Sequence, residues 1–102
     1  MPLFQITRPV PGWNDDELAA AGVRAETCVG SFPGLRWMRS FLDAENEVVT
    51  CFYEAADVDS VRLHAAVSEL PCEEVREVTE FLPVIADVQD ANVGVAAPLG
   101  AG

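Results

Sequence analysis

His64 is the only histidine in the chain, so any chemistry that needs a neutral imidazole near physiological pH falls on it. Ser60 and Ser68 lie four residues before and after it, and Asp57 lies two helical turns earlier. Ser-His-Ser is not a metal constellation, because a nickel or zinc site on a helix calls for a histidine or carboxylate one turn away. On residue types alone His64 reads as a capped or surface histidine, with a ligand role as the competing reading. Cys28, Cys51 and Cys72 are odd in number and form no Cys-x-x-Cys pair. That excludes a disulfide framework and a zinc motif and fits reduced thiols. Cys51 reads as a small buried hydrophobe ahead of a nucleophile. Strand alternation puts Cys51 and Tyr53 on one face and Phe52 and Glu54 on the other. Glu54 is expected in a buried ion pair with Arg8, Arg36 or Arg39, ahead of a role as a base. Ser40 has no His–Asp arrangement near it in sequence, and neither a Gly-x-Ser-x-Gly elbow nor a phosphate loop exists.

These residues need elements to hold them. Leu3 to Arg8 alternates and ends at Pro9, which predicts a first strand. Asn14 and Glu17 form a capping box, and Trp13 is placed to staple onto Leu18. The helix they start runs to about Val29, with Leu18, Ala21, Ala25 and Cys28 on one stripe. Arg36–Leu42 and Val48–Tyr53 predict a hairpin, with Asn46 taking positive φ in the turn. Asp57 caps a second helix expected over Val58–Leu70, ended by Pro71. Val75–Val84 has strand content. The order is βαββαβ, the split βαβ arrangement of a ferredoxin-like α+β fold: one antiparallel sheet with two helices on one face. Simple alternation pairs Trp37 with Phe41 on one face of the hairpin and Met38 with Leu42 on the other. Both faces are then apolar, and the face without helices asks for cover. A homodimer packed sheet to sheet, a dimeric α+β barrel, is the expected answer. Residues 85–102 are expected to be a C-terminal tail, flexible or docked on the sheet or on a partner subunit.

The net charge is −11, and all six basic residues are arginine. Without a basic stripe, neither nucleic acid nor an anionic membrane surface is an expected partner. The absence of lysine removes Schiff-base catalysis. No apolar run reaches the 18 residues of a membrane span, and Met1–Arg8 lacks the layout of a signal peptide. A cytoplasmic location is the expectation.

Trp-x-x-Ser at Trp37–Ser40, Cys-x-Tyr-Glu-Ala at Cys51–Ala55, and a helix carrying His64-Ala65 with Leu70-Pro71 at its end resemble one family in order and spacing. It is the family of small nickel-binding proteins with a ferredoxin-like fold, long catalogued only as a domain of unknown function. Met1–Phe4, Arg8 and Asp16–Ala20 fit it too, and the resemblance covers about residues 1–84. It implies dimerisation and surface nickel binding, and it raises the functional reading of His64. The chain departs from the family pattern at Thr7, where glutamate is common, at Ala56 in place of proline, and at Glu69 in place of glycine. Its first helix also lacks a histidine. Any nickel would then rest on His64 with cysteine or carboxylate oxygens, Cys51 and Glu54 being the candidates, from one subunit or two.

Two functions follow as expectations. One is a non-catalytic nickel-binding protein, suited to sequestration, without an organic cofactor. The alternative is a small-molecule enzyme or ligand-binding module with a pocket between sheet and helices, formed by Trp37, Arg39, Ser40 and Tyr53. There His64, Glu54 or Arg39 would do acid–base or anion work.

Overall fold

A computed structural model describes residues 1–81. The expected strand over Val75–Val84 reaches past that limit, and the proposed tail at 85–102 lies outside the described residues. Strand β1 (Leu3–Pro9), helix α1 (Asp15–Val29), strands β2 (Arg36–Asp43) and β3 (Val48–Glu54), helix α2 (Val58–Val67) and strand β4 (Glu74–Val78) follow one another as βαββαβ. The strands form one antiparallel sheet in the order β2-β3-β1-β4. The fold is the ferredoxin-like α+β arrangement.

Local chemistry starts each helix. The Asn14 side chain accepts from the Glu17 backbone N–H (2.8 Å), and the Glu17 carboxylate accepts from the Asn14 N–H (2.9 Å). Two otherwise orphaned donors are satisfied reciprocally. Asp57 caps α2 by accepting from the Ser60 N–H at 2.8 Å, and that bond lowers its pKa from the ordinary carboxylate value. Small residues on the inner face of α1, Ala21 and Ala25, are buried and let the helix lie close to the sheet. Phe4, Ile6, Leu35, Cys51, Tyr53, Ala55 and Val61 form the core.

Helix α2 ends at Val67, three residues before the expected Leu70. The Glu69 N–H bonds to the Ala66 carbonyl (3.2 Å) and the Leu70 N–H to the Ala65 carbonyl (2.9 Å). This is a Schellman stop, and it needs a left-handed residue after the cap. Glu69 supplies it with φ 57°, at the position where glycine is the usual choice. Arg24 of α1 reaches across to donate to the Ser68 carbonyl (2.9 Å) and the Glu69 carbonyl (3.3 Å). Glu69→Gly is expected to raise stability by about 1 kcal/mol by removing the cost of a side chain in that conformation. Urea unfolding checks it, and a loss of stability would show that the carboxylate makes a contact worth more than the strain.

The hairpin turn also differs from expectation. Glu47, not Asn46, takes positive φ (55°). Asn46 is instead held by Asp43, which accepts from its backbone N–H (3.1 Å) and its side-chain amide (2.8 Å).

The larger correction is in β2. Trp37 pairs with Tyr53, but Arg39 pairs with Phe52 and Ser40 with Cys51, so the register shifts at Met38. One extra residue in one strand reverses the facing of everything after it. Trp37, Ser40 and Leu42 therefore face the helices, and Met38, Arg39 and Phe41 face away. Trp37 and Phe41 do not share a face.

Candidate functional site

Strand alternation in β1 and β3 turns Arg8, Val49, Cys51 and Tyr53 toward the helices. The bulge adds Trp37 and Ser40 from β2, with Trp37 Nε1 donating to Ser40 Oγ at 2.8 Å. In an unbroken strand residues three apart face opposite ways. The Trp-x-x-Ser spacing works as a same-face pair only because of the bulge. Helix α1 closes the other side with Leu18, Ala21, Gly22 and Ala25, and Pro71 comes from the segment after α2. Together they line a half-open pocket of about 230 Å³.

The walls are mostly apolar, but two buried polar side chains stand among them. Arg8 is 3% exposed and Tyr53 1%. Arg8 donates through Nε to Cys51 Sγ (3.3 Å) and through Nη1 to the Pro71 carbonyl (2.8 Å). Its Nη2 and the Tyr53 hydroxyl have no hydrogen-bond partner among the described residues. The guanidinium lies over the Tyr53 ring, 5.9 Å from its centroid, and Trp37 stacks on Tyr53 with ring centroids 6.3 Å apart and planes inclined by 12°. Burial pushes the pKa of the Tyr53 hydroxyl up to about 12, with Arg8 pulling the other way. The hydroxyl therefore keeps its proton across the physiological range.

The residues singled out from sequence divide. Trp37, Ser40 and Tyr53 do line the pocket. Arg39 does not; the bulge turns it to the open face of the sheet, in a groove with Met38, Phe41 and Phe52. Arg8 supplies the cation instead. Glu54 also lies on the open face and pairs with Arg36 at 3.1 Å. That pair is not buried, since the arginine side chain is 68% exposed, so it adds little stability.

His64 is neither a cap nor a surface residue. It is fully buried on the inner face of α2. Its Nε2 lies 2.9 Å from the Ala25 carbonyl of α1, so Nε2 carries the proton and Nδ1 the lone pair. The ring meets Phe32 edge-on at 5.7 Å and Tyr53 at 5.2 Å. Nδ1 is buried without a partner among the described residues. Desolvation, ahead of the opposing pull of the Ala25 bond, lowers the His64 pKa. The geometry is that of a neutral imidazole pinning α2 to α1.

As a nickel donor set within one chain these residues do not fit. His64 and Cys51 lie on the covered face with their nearest polar atoms engaged by Ala25 and Arg8, and Glu54 is on the opposite side of the sheet. Among the described residues no three of the His, Cys, Asp or Glu side chains converge as a metal site would require. None of His64, Glu54 and Arg39, the residues expected to do acid–base or anion work, lines the pocket. Arg8 was legible as a family-like residue and shares the parity of Phe4 and Ile6 in β1, but nothing in the sequence marked its partners.

Comparison with known proteins adds three findings. The sequence pattern of the family described as nickel responsive protein SCO4226-like matches residues 4–78. Among solved structures, the chain is similar to SCO4226 from Streptomyces coelicolor A3(2), with a TM-score of 0.69 and 16% identity over 78% of this chain and 99% of that one. At that identity the likeness speaks for the fold. No curated protein matches the chain.

Proposed function

The chain belongs to the SCO4226-like family of nickel-responsive proteins, and from that premise we propose that it is a non-catalytic binding protein for a divalent transition metal, nickel first, acting as a homodimer. The family match over residues 4–78 carries the metal reading. With His64 and Cys51 engaged on the covered face, the reading rests on carboxylate oxygens. Glu54 and Glu80 border the groove on the open face of the sheet, beside Met38, Phe41 and Phe52. Phe41 is 58% exposed, and such an apolar surface favours association. A second copy packed there would bring carboxylates of both chains together, and a divalent cation would offset their repulsion. Sequestration suits such a site. A cytoplasmic setting belongs to the same proposal, in keeping with three free thiols. No helix among the described residues is long and apolar enough to cross a membrane.

Calorimetry of nickel into wild type, Glu54→Gln and His64→Gln tests the metal. Weak binding is expected that survives acidification through the imidazole range, about pH 6.5, and fades through the carboxylate range, about pH 4.3. Glu54→Gln weakens it and His64→Gln does not. Loss with His64→Gln would move the metal to α2, and no heat from wild type would retire it. Light scattering should give about twice the chain mass of 11.0 kDa; the mass of a single chain would remove the dimer.

A further inference from the structure

We infer that the pocket between α1 and the sheet binds a small neutral aromatic molecule, one ring in size, seated against Trp37 in the space that Gly22 leaves on the inner face of α1.

Gly22 carries the inference. It lies in the interior of α1, where glycine weakens a helix relative to alanine. Two structural demands can require a glycine there, a left-handed backbone or crowding around its Cα. Neither holds. The glycines of positive φ are Gly12 and Gly34. A Cβ built on Gly22 meets a single atom within 4 Å, the ring edge of Trp37 at 3.8 Å, which is an ordinary van der Waals contact. An alanine would fit and would strengthen the helix. A local rule broken with no return in packing is the mark expected of a functional position. The function open to this one is to keep the space beside the Trp37 indole clear, and both residues line the pocket.

The lining fixes the chemistry of the occupant. Trp13, Leu18, Trp37 and Val49 supply apolar walls. No aspartate or glutamate stands among the lining residues to pair with a cation, and the Arg8 guanidinium over the Tyr53 ring repels one. An anion gains no hydrogen bond from Arg8, because Nη2 is buried out of reach and Nε and Nη1 already donate to Cys51 and Pro71. The net charge of −11 also opposes an anion's approach. A charge left unpaired in an apolar setting is costly, so the occupant is neutral. Two indoles favour a flat ring, which they can stack on or meet edge to face. A cavity on the order of 150 Å³ already holds benzene, so about 230 Å³ takes one ring with a short substituent. Water there finds few polar partners and is displaced at little cost.

Toluene, benzoate and benzylamine share one ring and differ in charge at neutral pH. Each is titrated separately into the full chain in metal-free buffer. Calorimetry reads binding, and so does fluorescence, because both tryptophans line the pocket. Toluene is expected to bind saturably with a Kd below about 1 mM, and each charged probe at least about tenfold more weakly. Gly22→Leu, which fills the space beside Trp37, weakens toluene by at least about tenfold. Gly22→Ala raises the melting temperature by a few degrees and weakens toluene several-fold, which keeps the test open if Gly22→Leu fails to fold. The inference is overturned by no saturable toluene binding, by a charged probe as tight as toluene, or by unchanged toluene affinity in folded Gly22→Leu. A lower melting temperature for Gly22→Ala would overturn it too, since packing would then require the glycine. No metal is present, so the result is independent of the nickel titration.

Discussion

Tyr53→Ala is expected to cost about 3–5 kcal/mol, a large part of the stability of a domain this size, while Tyr53→Phe costs less than about 1 kcal/mol or stabilises. The ring is 1% exposed and holds three neighbours together: Trp37 stacked at 6.3 Å, His64 at 5.2 Å and the Arg8 guanidinium at 5.9 Å. Truncation leaves a cavity beside an existing pocket, where collapse is hindered by the sheet. The hydroxyl is a different matter. It is buried with no well-formed hydrogen bond among the described residues, so removing it sheds a desolvation cost that outweighs the loss of its attraction to Arg8. Urea unfolding of the two variants separates ring from hydroxyl. If phenylalanine were as damaging as alanine, the hydroxyl would have to be bonded in solution.

Acidification below about pH 6.5 should destabilise wild type through His64, by up to about 1.4 kcal/mol for each pH unit. Desolvation lowers its folded-state pKa below the ordinary value, with the Ala25 bond opposing and Arg8 adding to the shift. Between the two pKa values the unfolded chain binds a proton that the folded chain refuses. The contribution is thus complete above the unfolded pKa and is lost as pH falls toward the folded one. His64→Ala removes the dependence. It also costs on the order of 3 kcal/mol at neutral pH, because the ring fills the space between Phe32 and Tyr53 and ties α2 to α1. Unfolding free energies of both proteins from about pH 7 to about pH 5 give the check. Parallel curves would mean that His64 is not the titrating group.

What could be read from sequence was what depends on near neighbours. The Asn14–Glu17 box and the Asp57 cap join residues three apart, so residue type and spacing suffice. The inner faces of β1 and β3 follow from alternation, and with the element order they lead to the ferredoxin-like fold. Residue order and spacing also carried the family. The pocket was only partly legible: Trp37, Ser40 and Tyr53 line it, whereas Arg39 lies on the open face of the sheet.

The tertiary structure decided the rest. An extra residue at Met38 leaves no mark on hydrophobicity, yet it reverses the facing of Arg39, Ser40 and Phe41, because side chains alternate with period two. His64 bonds a carbonyl 39 residues away, and Arg8 a carbonyl 63 residues away. Neither partner is a side chain, so no residue type advertises it. Whether a polar side chain ends in water or under two helices depends on how those helices dock on the sheet, and spacing along the chain does not encode that.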